Sequence, residues 1–123
     1  MLIRIDFNSD EAIYMQVRNQ IIMHIASSSL HEGDSLPSVR DLADEIGINM
    51  HTVNKAYATL KQEGYVKIDR RRGAFISLDY DNMRAIEELR QELRVVIARA
   101  ISRNISPERI HEEMDRIFEE FNM

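Results

Sequence analysis

Residues 36–76 read LPSVRDLADEIGINMHTVNKAYATLKQEGYVKIDRRRGAFI, and this stretch decides the fold. Val39, Leu42, Ala43 and Ile46 recur at the spacing of one helix face. Ser38 precedes them, and Asp41 follows it three residues later, a capping box with aspartate in place of the commoner glutamate. Gly47 offers the positive φ that ends a helix, and Ile48 fills the core at the turn. A second helix opens near residues 49–51. Its inward face is Val53, Ala56, Tyr57 and Leu60; its outward face carries Asn49, His51, Thr52, Asn54 and Lys55. Gly64 stops it. Residues 65–70 then alternate as a strand, Arg71-Arg72-Gly73 turns the chain, and residues 74–78 return. Helix, tight turn, helix and hairpin in that order predict a winged helix-turn-helix, which offers one helix to the DNA major groove with a basic wing beside it.

Upstream, residues 1–8 alternate so that Ile3, Ile5 and Phe7 share a face, which predicts a short strand or an extended arm. Ser9 and Asp10 are helix-start residues, and a helix to about Ser27 would bury Tyr14, Val17, Ile21 and Ile25, with Ile13 and Ile22 widening the stripe. Downstream, residues 80–104 hold neither glycine nor proline. Ile86, Leu89, Leu93, Val96 and Ala100, with Ile97 and Ile101 alongside, form the seam of a long amphipathic helix. Ser106-Pro107 starts a last helix, whose apolar residues are Ile110, Met114, Ile117, Phe118 and Phe121. The expected architecture is mainly α with a small β wing. A winged helix-turn-helix DNA-binding domain occupies 1–78, and a C-terminal two-helix dimerisation segment occupies 79–123. The seam either pairs with a second copy or folds back on its own domain; its length in so short a chain favours the second copy.

The chain carries a net charge of −5, an apparent argument against nucleic acid that its distribution reverses. Residues 49–78 hold six basic residues against two acidic ones, whereas 1–48 hold three against eight and 79–123 seven against eleven. Screening over about 10 Å makes such a local patch decisive for a nearby phosphate. The rival reading is a solvated hairpin with ordinary surface charge. Absence of cysteine excludes disulfides, thiolate metal sites and cysteine nucleophiles. No apolar run approaches the ~20 residues of a membrane span, and polar residues near the N-terminus do not resemble a secretion signal, so a cytoplasmic protein without membrane contact is expected.

Base-contact candidates are Asn49, Met50, His51, Thr52 and Asn54, at the end of the helix that reaches base edges. Asparagine pairs bidentately with adenine, threonine meets a thymine methyl, and Met50 offers only apolar contact. Phosphate or minor-groove candidates are Ser38, Arg40, Lys55, Tyr57, Arg70, Arg71 and Arg72, with Gly73 allowing the sharp turn. The four histidines show no metal spacing; His111 with Asp115 reads as a solvated face. No metal or cofactor is expected, and no residue pair has a nucleophile or acid–base context, so an enzyme is not expected. Tyr80, Met83, Phe118 and Phe121 read more readily as core than as a ligand box, which leaves any small-molecule effector unknown.

LPSVRDLA, then IGINMHTVNKAY and the Glu-Gly-Tyr-Val start of the wing, resemble the GntR family of bacterial transcription regulators over roughly residues 10–78. The short C-terminal pair of helices resembles the YtrA-like subfamily; other branches carry a larger effector domain, for which roughly 45 residues leave no room. The resemblance implies a homodimer on a palindromic operator that represses its own operon, one that often encodes an ABC-type transporter. The family's helix-two arginine is matched by Arg40, its recognition-helix threonine by Thr52 and its wing glycine by Gly73. Many members carry arginine where this chain has Met50 and Asn54, so a more A·T-weighted half-site is expected. A winged-helix module that binds protein or RNA is the alternative.

Overall fold

The computed structural model describes residues 1–123, in the order α1 (Ile13–Ala26), α2 (Val39–Ile46), α3 (Met50–Gln62), β1 (Val66–Asp69), β2 (Gly73–Ile76), α4 (Asn82–Ser102) and α5 (Pro107–Glu120). The chain divides into two compact units, Met1–Asp79 and Tyr80–Met123. The expected class, mainly helical with a small β wing, is the one found.

In the first unit the local signals act as read. Ser38 Oγ accepts a hydrogen bond from the Asp41 amide at 3.0 Å and starts α2. Gly47 ends it with φ 71°, and the amides of Gly47 and Ile48 both return to the Ala43 carbonyl. That sharp turn packs α3 against α2 and α1. Val17 and Ile21 of α1, Leu42 of α2, and Val53, Ala56, Tyr57 and Leu60 of α3 meet Val66, Ala74 and Ile76 from the wing in one core. The wing is antiparallel, with Val66 opposite Ile76 and Asp69 opposite Gly73. Along β2 also runs the loop before α2: the Leu36 amide reaches the Ala74 carbonyl, and Gly33 and Asp34 bond Ile76. The wing is thus tied to the helix-turn-helix by backbone as well as by core.

Two boundaries differ from the sequence reading. Ser9 and Asp10 do not start α1: the helix begins at Ile13 behind Ala12, which makes no side-chain cap, while Ser9 Oγ accepts from the Glu11 amide in a local turn. The wing turns one residue early, so its loop is Arg70-Arg71-Arg72 and Gly73, at φ 68°, already belongs to β2.

Residues 1–6 form an extended arm whose backbone is held by side chains of α1. Gln20 accepts from the Arg4 amide at 2.9 Å and donates to its carbonyl at 2.6 Å. Gln16 does the same with Asp6, at 2.9 and 3.0 Å, and donates also to the Glu11 carbonyl. His24 Nε2 meets the Leu2 carbonyl at 2.7 Å, so that nitrogen carries the proton. Four residues of helix rise about 6 Å and two residues of extended chain about 6.6 Å, so residues 16, 20 and 24 keep step with residues 6, 4 and 2. Ile3 is buried and Ile5 half-buried, but Phe7 is 64% exposed, because the chain turns away from α1 through hydrogen bonds onto Asp6. Gln16 is the buried polar side chain of the core, and its amide is fully engaged. Gln16→Leu is expected to cost about 1–2 kcal/mol and to speed hydrogen exchange at Asp6, read by thermal unfolding and NMR.

In the second unit, Asp81 caps α4 through the Arg84 amide, and Ser106 caps α5 through the Arg109 amide with Pro107 in the first turn. The two helices pack on each other, yet neither contains a buried residue. Ile86, Leu89, Val96 and Ile101 are each more than half exposed, while Leu93, Ile97 and Ala100 are half-buried. An open groove of about 620 Å³ runs along α4, lined by Ile86, Leu89, Leu93, Ile97 and Ile101, with Arg90 and Arg94 on its rim.

Candidate nucleic-acid interface

The start of α3 carries the site. Asn49 Oδ1 accepts from the His51 amide at 2.7 Å and caps the helix. That bond uses one of the two lone pairs on the oxygen, so Asn49 meets a partner with its amide N–H groups and the remaining lone pair, its side chain held in the capping geometry. Met50 is 44% exposed, and His51 and Asn54 are open to solvent. Asn54 carries no capping bond, so its whole amide is available for bidentate reading. Thr52 is half-buried and lines a cleft of about 400 Å³ with Ile13, Tyr14, His51 and Lys55. Lys55 Nζ lies over the Tyr14 ring, 4.1 Å from its centre.

Around this face stand the expected cations, with two corrections. Arg40 and Ser38 are exposed at the start of α2; the Ser38 oxygen accepts the cap bond, and its hydroxyl proton is left to donate. Tyr57 is not a phosphate contact. Its ring is 2% exposed, and its hydroxyl donates to the Pro37 carbonyl at 2.8 Å, pinning α3 to the segment leading into α2. The helical period had placed it inward, and burial follows the period rather than the chemistry of the hydroxyl. Burial first, and then the nearby Glu45 carboxylate, push the Tyr57 hydroxyl well above the usual tyrosine range.

Arg72 is the second correction. Its guanidinium stacks on Phe75 at 3.8 Å and donates to the Gly33 carbonyl at 2.7 Å. It braces the wing against the loop before α2 while staying exposed to solvent. Asp69 Oδ1 accepts from the amides of Arg71 and Arg72 at 2.9 and 2.6 Å, which fixes the wing tip, and Gly73 supplies its positive φ. Arg70 and Arg71 are left exposed at that tip as its outward charge. The residue that sequence reasoning missed is Tyr14, read only as core stripe. Nothing local links it to Lys55, 41 positions on; the packing of α1 against α3 does.

A polar helix start, an exposed flanking arginine on α2 and an arginine-tipped wing on a three-helix core are the parts of a winged helix-turn-helix DNA-binding domain. The model of "Bacterial regulatory proteins, gntR family" matches residues 13–76. The HTH-type transcriptional repressor YtrA of Bacillus subtilis is 33% identical over 119 residues, covering 94% of this chain and 92% of YtrA. Among solved structures, YtrA from Sulfolobus acidocaldarius, a GntR-family transcription factor, has 40% identity and a TM-score of 0.68, covering 83% of this chain and 99% of that one. A transcriptional antiterminator from Listeria monocytogenes EGD-e has 27% identity and a TM-score of 0.89, covering 98% and 92%. The chain belongs to the GntR family of bacterial regulatory proteins. Within that family it is YtrA-like, by a match to the Bacillus subtilis protein that covers 94% of this chain. It is a transcriptional regulator and not an enzyme. No helix is long and apolar enough to cross a membrane.

Proposed function

We propose that the chain is a cytoplasmic homodimeric repressor that binds a palindromic operator in double-stranded DNA, upstream of its own operon. The observation that carries this reading is the α3 start, where Asn54 and His51 stand exposed beside Lys55 and Arg40 with the free Arg70 and Arg71 of the wing. One such helix covers only a few base pairs, so useful selectivity requires two copies at a set spacing. The exposed apolar groove of α4 provides the surface for pairing them. Dimerisation is assigned to Ile86, Leu89, Leu93, Val96, Ile97, Ala100 and Ile101. The likeness to the repressor YtrA supports repression, and an ABC-type transporter operon is the target expected of a YtrA-like protein. No small-molecule effector is assigned.

A gel shift on the DNA upstream of its own gene tests the proposal. Log affinity should fall steeply and linearly with log salt, by about 0.9 per phosphate contacted. No shift at low salt would sink it. Within that assay Asn54→Ala is expected to change the ranking of operator variants by about five- to a hundredfold at one position, while Lys55→Ala weakens all variants alike. Uniform loss from both would remove the division between base and phosphate contacts. The likeness to an antiterminator favours RNA as the second reading, and an excess of unlabelled RNA that abolishes the shift would favour it over DNA.

A further inference from the structure

We infer that Tyr14 is a positioning residue for DNA binding, its ring holding the Lys55 ammonium over the cleft between the first turns of α1 and α3, where it meets a backbone phosphate. The inference rests on the DNA-binding reading above. A lysine at an exposed helical position ordinarily samples many rotamers of its four-carbon stem. Here Nζ sits 4.1 Å above a ring centre, within the range at which an aromatic face attracts a cation. The platform is the fixed partner of the two: Tyr14 is half-buried and packs against the core, whereas Lys55 is exposed.

The surroundings keep that charge uncommitted. Lys55 makes no ion pair, and no carboxylate lines the cleft, whose walls are Ile13, Tyr14, His51 and Thr52. Two acidic residues that could compete are engaged elsewhere. Glu63 is held by Arg18 in a two-pronged pair at 2.7 and 2.9 Å, and Glu11 accepts from Asn19 at 3.3 Å. A cation, a hydroxyl and an imidazole around an acid-free cleft match the oxygens of a phosphodiester. The cleft lies at the first turn of α3, beside Asn54, so a phosphate seated there sets how far α3 enters the groove and in which register.

The full-length chain is tested as wild type, Tyr14→Leu, Tyr14→Phe, Lys55→Ala and the Tyr14→Leu/Lys55→Ala double variant, on the upstream DNA across a salt series. Tyr14→Leu is expected to weaken binding about two- to fivefold, and Tyr14→Phe, which keeps the ring, to restore most of that loss. Lys55→Ala should reduce the salt slope by about one, and the double variant should bind no more weakly than Lys55→Ala alone. A Phe variant as weak as the Leu variant would assign the effect to the hydroxyl and overturn the inference, as would additive losses in the double variant. An NMR measurement on the wild type does not depend on any variant folding: the Lys55 ε-methylene protons should be shifted upfield by the ring, and ordinary lysine values would also overturn it. If the wild type shows the ring shift yet binds no DNA, the DNA-binding reading fails while the stack itself stands.

Discussion

Leu93→Arg is expected to leave the chain monomeric in sedimentation and to weaken operator binding by about a hundredfold or more, the scale on which linking two binding modules raises affinity. Leu93 sits midway along α4, half-buried, in the wall of the exposed groove. A guanidinium there would have to lose water against Ile86, Leu89 and Ile97 of the facing copy, with Arg90 and Arg94 already on the rim. Lys67→Ala on the exposed face of β1 removes one charge and should cost far less. The core of the first unit contains no residue of α4, so the helix signal and thermal unfolding of that unit should survive the substitution. Unchanged sedimentation of Leu93→Arg would take the groove out of the dimer model.

The second large effect is alkaline. The folded Tyr57 hydroxyl titrates above its unfolded value of about 10, so the folded chain retains a proton that the unfolded chain releases. Its contribution is fully present below pH 10 and is lost as pH rises from there toward the folded value. The slope steepens above pH 10 toward the limit for a single proton, a loss of about 2 kcal/mol between pH 10 and 12. Tyr57→Phe forfeits the bond to Pro37, about 1 kcal/mol at neutral pH, and is free of this alkaline loss. The two stability curves should therefore cross near pH 11, as measured by denaturant unfolding. Parallel curves from pH 7 to 12 would mean that the hydroxyl ionises freely in the folded protein.

Most of the architecture was legible because each element announces its own ends. Ser38, Gly47, Ser106-Pro107 and the alternation after Tyr65 are local signals, and local geometry obeyed them. The exceptions share a cause. Ser9 and Asp10 carry the same residue types that start helices, but Ser9 spends its hydroxyl on a turn, a choice made by how the arm meets α1. Three identical arginines at 70–72 cannot declare which one is tied to the fold; the acceptor that claims Arg72 is Gly33, 39 positions away. Tyr57 carried two contrary signals, a helical period pointing in and a hydroxyl suited to phosphate, and apolar burial outweighed the second. Asn49 was read as outward, which it is, but the cap it forms is a shared duty that residue type alone does not reveal. The Tyr14–Lys55 stack depends wholly on the tertiary approach of α1 and α3.

The arm at the N-terminus behaves as a ratchet between two unlike repeats. Its backbone groups face α1 only at even-numbered residues, and α1 answers them only every fourth residue. Exposed side chains along the arm can vary without disturbing that match, because Gln16, Gln20 and His24 grip peptide groups and ignore what is attached to them. Length cannot vary in the same way. One residue inserted or removed between Leu2 and Asp6 would turn the opposite edge of the chain toward the helix and disengage the rungs beyond it, while a change of two residues would merely shift the arm by one tooth.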